Sequence, residues 1–509
     1  MHRFLLMSAL ASMVSMAQPT QPIRRTDSVR HREPVLQRSP IRELQADLDA
    51  LLKNRDIAAA HIGVCVLSTE TGEFLYRFND GKAFVPASLT KLFVTAAALE
   101  LLGSDFRFTT RMYLDGRIRQ GGDFEGNLIV RGSGDPTWSD TFGNVPDSVF
   151  ARWITALDSL GITTIKGNII CDDSYFDAVR YGRGWMWDDF VMPYSPPVSS
   201  LAAYDNCVRV AITADTSSGK LAHAHLVRGG NAVRILSEVV TSVSDLPAEI
   251  VPVREFGSAI VELHGTVPRA SSMSSAPLEL DIPVDNPASY VGILLRDALE
   301  KHQIRVRGSV FTAAEWGEPI LYPRLPVLSE YASAPLRSIV AVMNRTSHNL
   351  CAEMLLKTIG KESSGIGSFD AGTDYVRAML QRNGLPSEEL TMSDGSGLSR
   401  LNLCTPNLLA RLLWHLWRSP WRSDVVGSLA RPGETGTLRT RMVGTIAERN
   451  VAAKTGTLEN VSNLAGYVTT RDGEVLCVVV MINHLFVPES VARNVQDLVC
   501  MRLASLSRR

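Results

Sequence analysis

The chain has 509 residues, 45% of them hydrophobic and 21% charged, with a formal net charge of −1. That length exceeds what one hydrophobic core serves, so two to four modules are expected. The near-neutral balance carries no electrostatic footprint for a polyanion, which argues against nucleic acid or an anionic membrane surface as partner.

In chain order, MHRFLLMSALASMVSMA sets one basic residue before a short apolar run and ends in Ser15-Met16-Ala17, a small-x-small cleavage signal. Residues 1–17 therefore read as a signal peptide, the run being short of the roughly 20 residues that span a bilayer. The Pro- and Arg-rich residues 18–40 read as a flexible leader. Apolar spacing predicts an amphipathic helix over 41–54. HIGVCVLSTETGEFLYRFND then reads as two strands joined by a Thr-Glu-Thr-Gly-Glu turn. In FVPASLTKLFVTAAALELLG, Ser88 sits where an N-cap or first turn belongs, and Gly103 is placed to close the helix.

From about residue 105 the texture changes to short β-like runs dense in Gly and Asp. We read 41–104 as the first part of one domain and 105–204 as the first part of an inserted domain. A third, β-rich domain (205–285) nests inside the insertion, which ends with 286–327. Helical periodicity returns with PASYVGILLRDALEKH and is expected to dominate from about 328, where the first domain resumes and runs to 509. GYVTTRDGEVLCVVVMIN is a hairpin signal, and SVARNVQDLVCMRLASL has the period of a closing helix. Helix–strand–strand thus opens the chain and strand–strand–helix closes it. The expected fold class is α+β, an antiparallel sheet flanked by helices and interrupted by large β-rich insertions.

Three short motifs carry chemistry. Ser88-Leu-Thr-Lys91 puts a lysine amine one helical turn from a serine hydroxyl, which is a poor nucleophile without an adjacent base. Alone this spacing says little, since roughly one S-x-x-K is expected by chance in a chain of this size. Indeed Ser217-Ser-Gly-Lys220 repeats it in a turn that leads into no long helix. Ser347-His-Asn349 opens another helical pattern, and Lys454-Thr455-Gly456 sits in a strand-like run. S-x-x-K, S-x-N and K-T-G in that order form the motif set of the penicillin-recognising serine enzymes.

Beyond the motifs, the chain resembles the D-alanyl-D-alanine carboxypeptidase/endopeptidase family, the low-molecular-mass class C penicillin-binding proteins, from about residue 42 to 502. GNLIVRGSGDPT, IKGNIICDDSYFD, GWMWDDF, SDGSGLSR and GETGTLRTRM also look like that family, which carries its insertion between the first two motifs. The resemblance implies a transpeptidase-like domain and a serine DD-peptidase acting on peptidoglycan stem peptides, acylated by β-lactam antibiotics, needing no cofactor or metal, and working in the periplasm or cell envelope. It implies Ser88 as nucleophile, Lys91 as its base, Ser347 as proton relay with Lys454, and Asn349 as a substrate and Lys91 partner. Burial and the second cation Lys454 are expected to lower the Lys91 pKa. The backbone N–H groups of Ser88 and Thr457 would form the oxyanion hole, while Thr455 and Thr457 hydroxyls would hold the substrate carboxylate beside Gly456. Asp189, or its neighbour Asp188, would meet an amino group of the peptidoglycan side chain. A β-lactamase reading lacks the E-x-x-L-N stretch with which the class A enzymes deacylate.

Other features read as structure. His223 and His225 fit an exposed strand face, Gly132-Ser-Gly134 a turn, SDGSGLSR a shaped loop near the cleft, and Trp414, Trp417 and Trp421 packing. The seven cysteines include no C-x-x-C pair, so no zinc or redox motif is suggested, and an odd count leaves at least one free.

Overall fold

The computed structural model describes residues 39–243, 247–269 and 276–508. The expected signal peptide, nearly all of the leader, and residues 270–275 of RASSMSSAP lie outside the described residues. No helix among the described residues is long and apolar enough to cross a membrane.

Helix α1 spans Pro40–Leu52 and buries Leu44, Leu48 and Leu52, spaced four apart on one face. Strands β1 (His61–Ser68) and β2 (Phe74–Phe78) form the predicted hairpin. Helix α2 (Thr90–Leu102) is buried at every position from Thr90 to Leu99 and stops at Gly103, whose φ of 78° suits glycine. A helix apolar all round belongs inside a domain.

After the insertion come α3 (Leu336–Thr346), α4 (Asn349–Ser364), α5 (Phe369–Arg382) and α6 (Pro406–Arg418). Strands β3 (Val451–Leu458), β4 (Val461–Thr469) and β5 (Val475–Asn483) and helix α7 (Glu489–Ala504) follow. The five strands make one antiparallel sheet in the order β3-β4-β5-β1-β2, so the two ends of the chain meet between β5 and β1. Along β5, Cys477, Val479 and Met481 face the core built by α2 and α3–α6, whereas Leu476, Val478, Val480 and Ile482 face α1 and α7. Helices on both faces explain why LCVVVMI is continuously apolar rather than alternating.

Within the insertion, Thr109–Ile118 and Asp123–Arg131 lead a seven-stranded sheet. Segment 207–283 builds two smaller sheets, yet its Val210, Ile212 and Ile282 pack in one apolar cluster with Met112, Trp153 and Leu295. One expectation changes here. Instead of helix from about 328, Val327–Ala332 is a strand paired with Thr109–Tyr113, and helix resumes only at Leu336. Six residues are too few to display a period of their own, and their partner lies far back in the chain.

Candidate active site

Ser88 lies in a short 3₁₀ turn, Ala87–Leu89, that feeds directly into α2. It is not the helix N-cap, a position taken by Leu89, so its hydroxyl is free for other partners. The turn is clamped from two sides. Asn463 of β4 donates Nδ2 to the carbonyls of Val85 (2.9 Å) and Pro86 (3.0 Å). Edge strand β3 presses on it at Gly456, where a Cβ would fall 2.6 Å from the Pro86 carbonyl oxygen. Glycine in the K-T-G motif thus lets the strand touch the turn. Gly397, at φ 86° in SDGSGLSR, is needed for the same reason, because a side chain there would collide with the Ala87 carbonyl.

Lys91 is fully buried, and its Nζ reaches three oxygens: Ser88 Oγ at 2.9 Å, Asn349 Oδ1 at 2.7 Å and the Ser396 carbonyl at 2.7 Å. The last two can only accept. The orientation of the Asn349 amide is fixed at its other end, where Nδ2 donates to the Tyr194 carbonyl at 2.8 Å. A neutral amine has two N–H donors and one lone pair. With both donors taken, the lone pair is left facing the Ser88 hydroxyl.

Burial pushes the Lys91 pKa down to about 7, against the opposing pull of Glu353, Asp394 and Cys351. Lys454 was expected to share in that shift. Burial does the work instead, and the repulsion between the amines bears on Lys454, which burial and the Lys91 charge hold well below the usual lysine range. Glu353, one turn along α4 from Asn349, is the carboxyl that pulls most on Lys91. Burial and the Asp394 charge push it up to about 8, while bonds from the Ser396 and Gly395 N–H groups oppose the rise.

On the second wall, Lys454 Nζ donates to Ser347 Oγ and to the Thr455 carbonyl, both at 2.8 Å. Ala453 exchanges both backbone bonds with Ala430 across the outer edge of β3. Strand alternation therefore turns the backbone groups of Thr455 and Thr457 to the same open edge. The Thr455 hydroxyl bonds Thr437 Oγ1 at 2.7 Å, and the Thr457 hydroxyl donates to Glu489 Oε1 at 3.0 Å.

The inserted segment supplies the third wall. A cavity of about 450 Å³ is lined by Ser88, Ser347, Asn349 and Thr457, and also by Asp188 and Asp189. Asp189 accepts the Tyr194 hydroxyl at 2.8 Å and the Met186 N–H at 3.2 Å. Trp185, also from GWMWDDF, donates to Asp394 at 2.9 Å and ties this wall to the SDGSGLSR loop.

Sequence reasoning missed Glu353, Tyr194, the Ser396 carbonyl and Arg400, which also lines the cavity. A signal existed for Glu353, a charge within the apolar run LCAEMLL, whereas a carbonyl such as that of Ser396 leaves no mark on sequence. Other features stay outside. Ser217 and Lys220 are exposed in a turn, His223 and His225 lie on an exposed strand, and Trp414, Trp417 and Trp421 pack against the main core. All seven cysteines are buried free thiols.

The D-Ala-D-Ala carboxypeptidase 3 (S13) family matches residues 44–506. The chain belongs to that family. It is 34% identical over 472 residues to a D-alanyl-D-alanine carboxypeptidase of Actinomadura sp. (strain R39), covering 91% of this chain and 84% of that relative. It is 26% identical over 432 residues to the D-alanyl-D-alanine carboxypeptidase DacB of Haemophilus influenzae, covering 83% of this chain and 85% of that one. The crystal structure of penicillin binding protein 4 (dacB) from Haemophilus influenzae superposes with a TM-score of 0.80 at 24% identity, covering 90% of this chain and 99% of that one. The fold is therefore the penicillin-binding one with additional domains, and this S13 chain is a serine peptidase.

Proposed function

We propose that the protein is an exported serine DD-peptidase, a D-alanyl-D-alanine carboxypeptidase and/or endopeptidase, that cleaves peptidoglycan stem peptides through an acyl-enzyme on Ser88. The observation that carries this reading is the bonding of Lys91, whose two acceptor-only partners leave its lone pair for the Ser88 proton. With a pKa near 7 the amine is largely neutral in mildly alkaline surroundings and can act as general base. Ser88 attacks the carbonyl between two D-alanines. The N–H groups of Ser88 and Thr457 receive the oxyanion, and one such donor is typically worth about 10²–10³ in rate.

Ser347 passes a proton toward the leaving amine while Lys454 polarises its hydroxyl. Water then releases the acyl group. The open edge of β3 pairs with the extended peptide. The Thr455 and Thr457 hydroxyls serve the terminal carboxylate, Thr457 by turning from Glu489. Asp189, or Asp188, meets a side-chain amine of the substrate. The same acylation chemistry makes β-lactams inhibitors. Residues 1–17, read as a signal peptide, support export to the periplasm or cell envelope.

The test pairs wild type with Ser88→Ala. Wild type should form a long-lived adduct with labelled penicillin and release D-alanine from a D-alanyl-D-alanine muropeptide, and the variant should do neither. Rapid penicillin turnover would point to a lactamase, and a stable adduct without D-alanine release to a sensor.

A further inference from the structure

Between Ser347 and Asn349 stands His348, and it faces the insertion. His348 caps α4, its Nδ1 accepting the N–H of Cys351 at 3.3 Å. That bond requires Nδ1 without a proton, so the ring hydrogen is on Nε2, which donates to Asp205 Oδ1 at 3.1 Å. The other oxygen of Asp205 accepts the Thr141 hydroxyl at 3.3 Å. Burial opposes the charge on Asp205, but bonds from His348, Ser139 and Thr141 hold its carboxyl below the usual range.

Asp205 sits in a backbone conformation that side chains rarely adopt. Tyr204, Asp205 and Asn206 have φ of 52°, 56° and 58° in succession, whereas non-glycine residues normally enter this region singly. Strain of this kind persists only where the surroundings over-determine it, and it clusters at functional sites. Here the surroundings do so. The Tyr204 N–H donates to the Trp138 carbonyl at 2.7 Å, and the Arg228 guanidinium lies 4.1 Å from the centre of the Tyr204 ring. Asn206 donates Nδ2 to the Pro197 carbonyl and accepts the Val284 N–H on its own carbonyl, both at 2.8 Å. The outcome is a carboxylate aimed from the insertion at the S-x-N turn. That turn is itself left-handed at Ser347, with φ 60°, and belongs to neither flanking helix.

We propose that Asp205 is a positioning residue for acyl transfer: acting through His348, it fixes the Ser347 turn so that Ser347 meets Lys454 and Asn349 meets Lys91. This rests on Ser347 and Asn349 taking part in the reaction. It gives the insertion a part in the chemical step, separate from any contact it makes with substrate.

The test compares wild type with Asp205→Ala, Asp205→Asn, His348→Asn and the double variant Asp205→Ala/His348→Asn. Asparagine at 348 still caps the helix but is too short to reach Asp205. Acylation of Ser88 by labelled penicillin, kcat and KM for D-alanine release, thermal melting and the His348 Nε2–H resonance are measured. Asp205→Ala should slow acylation roughly 10–100-fold, the scale of a misplaced reacting group, with KM moved far less than kcat. His348→Asn should lose as much, and the double variant no more than either single. Asp205→Asn, whose Oδ1 still accepts the Nε2–H, should keep that resonance and recover most of the rate.

An Asp205→Ala enzyme that acylates within about twofold of wild type overturns the proposal, as do additive losses in the double variant. If Asp205→Ala does not fold, His348→Asn decides: a tenfold loss supports the proposal and a wild-type rate overturns it. A wild type that is never acylated at Ser88 overturns the reading of the site itself, and this proposal with it. Normal wild-type acylation with unaffected variants overturns this proposal alone.

Discussion

Two serine–lysine pairs with identical spacing, Ser88–Lys91 and Ser217–Lys220, stand in very different surroundings. The second lies in a turn of the insertion with both residues exposed. The first opens a helix buried from Thr90 to Leu99, and Asn349 and the Ser396 carbonyl occupy the amine. Spacing brings a lysine near a serine in both places. Only the first has the burial and the acceptor-only partners that make an amine a directed base.

The sharpest way to break this comparison is to mutate both serines. Ser88→Ala should cut D-alanine release by about 10⁴-fold or more, while Ser217→Ala should leave it at the wild-type rate. Mass spectrometry after penicillin treatment should find the adduct on Ser88 and none on Ser217. An adduct on Ser217 would undo the contrast.

Next in size is the packing that holds the first pair in place. Gly456→Ala would set a methyl against the Pro86 carbonyl and move either β3 or the Ser88 turn. We expect a roughly 10–100-fold loss of acylation and about 1–3 kcal/mol of destabilisation, read from acylation kinetics and denaturant melts. Gly219→Ala, between Ser217 and Lys220, meets nothing within 4 Å of the new methyl and should leave acylation unchanged, although its φ of +81° gives it a folding cost of its own.

Charge reversal at Asp189 should act on recognition rather than chemistry. Asp189→Lys is expected to weaken hydrolysis of amine-bearing muropeptides about tenfold, on the scale of a lost charge-assisted hydrogen bond, with penicillin acylation nearly intact. Equal loss of both activities would count against the substrate contact.

The smallest effect concerns pH. With Lys91 as the proposed base, acylation should slow below about pH 7 as the amine takes up a proton. Burial and the Asp394 charge hold Glu353 largely protonated over the range where Lys91 titrates, its pKa being pushed up to about 8, so the neutral Glu353→Gln should leave the acidic limb of the rate profile in place. A limb that moves to lower pH would show that Glu353 carries its charge there and raises the Lys91 pKa.

Much of this protein could be read directly from its residues. The Thr-Glu-Thr-Gly-Glu turn and the Arg-Asp-Gly turn marked two hairpins of the sheet, because turn chemistry is local. The four-residue spacing in α1 and the glycine after α2 are local as well. Three motifs in a fixed order picked out the residues that the fold brings together around Ser88 and Lys91, since each type of chemistry admits few side chains. The rest was decided by contacts between distant segments. Val327–Ala332 became a strand because Thr109–Tyr113 offered it a partner. Glu353 and the Ser396 carbonyl came to govern Lys91 because α4 and the SDGSGLSR loop pack on the start of α2. The contrast between Lys91 and Lys220 has the same source: a side chain's bonding capacity is written in its identity, but its dehydration and its partners exist only once the chain has folded around it.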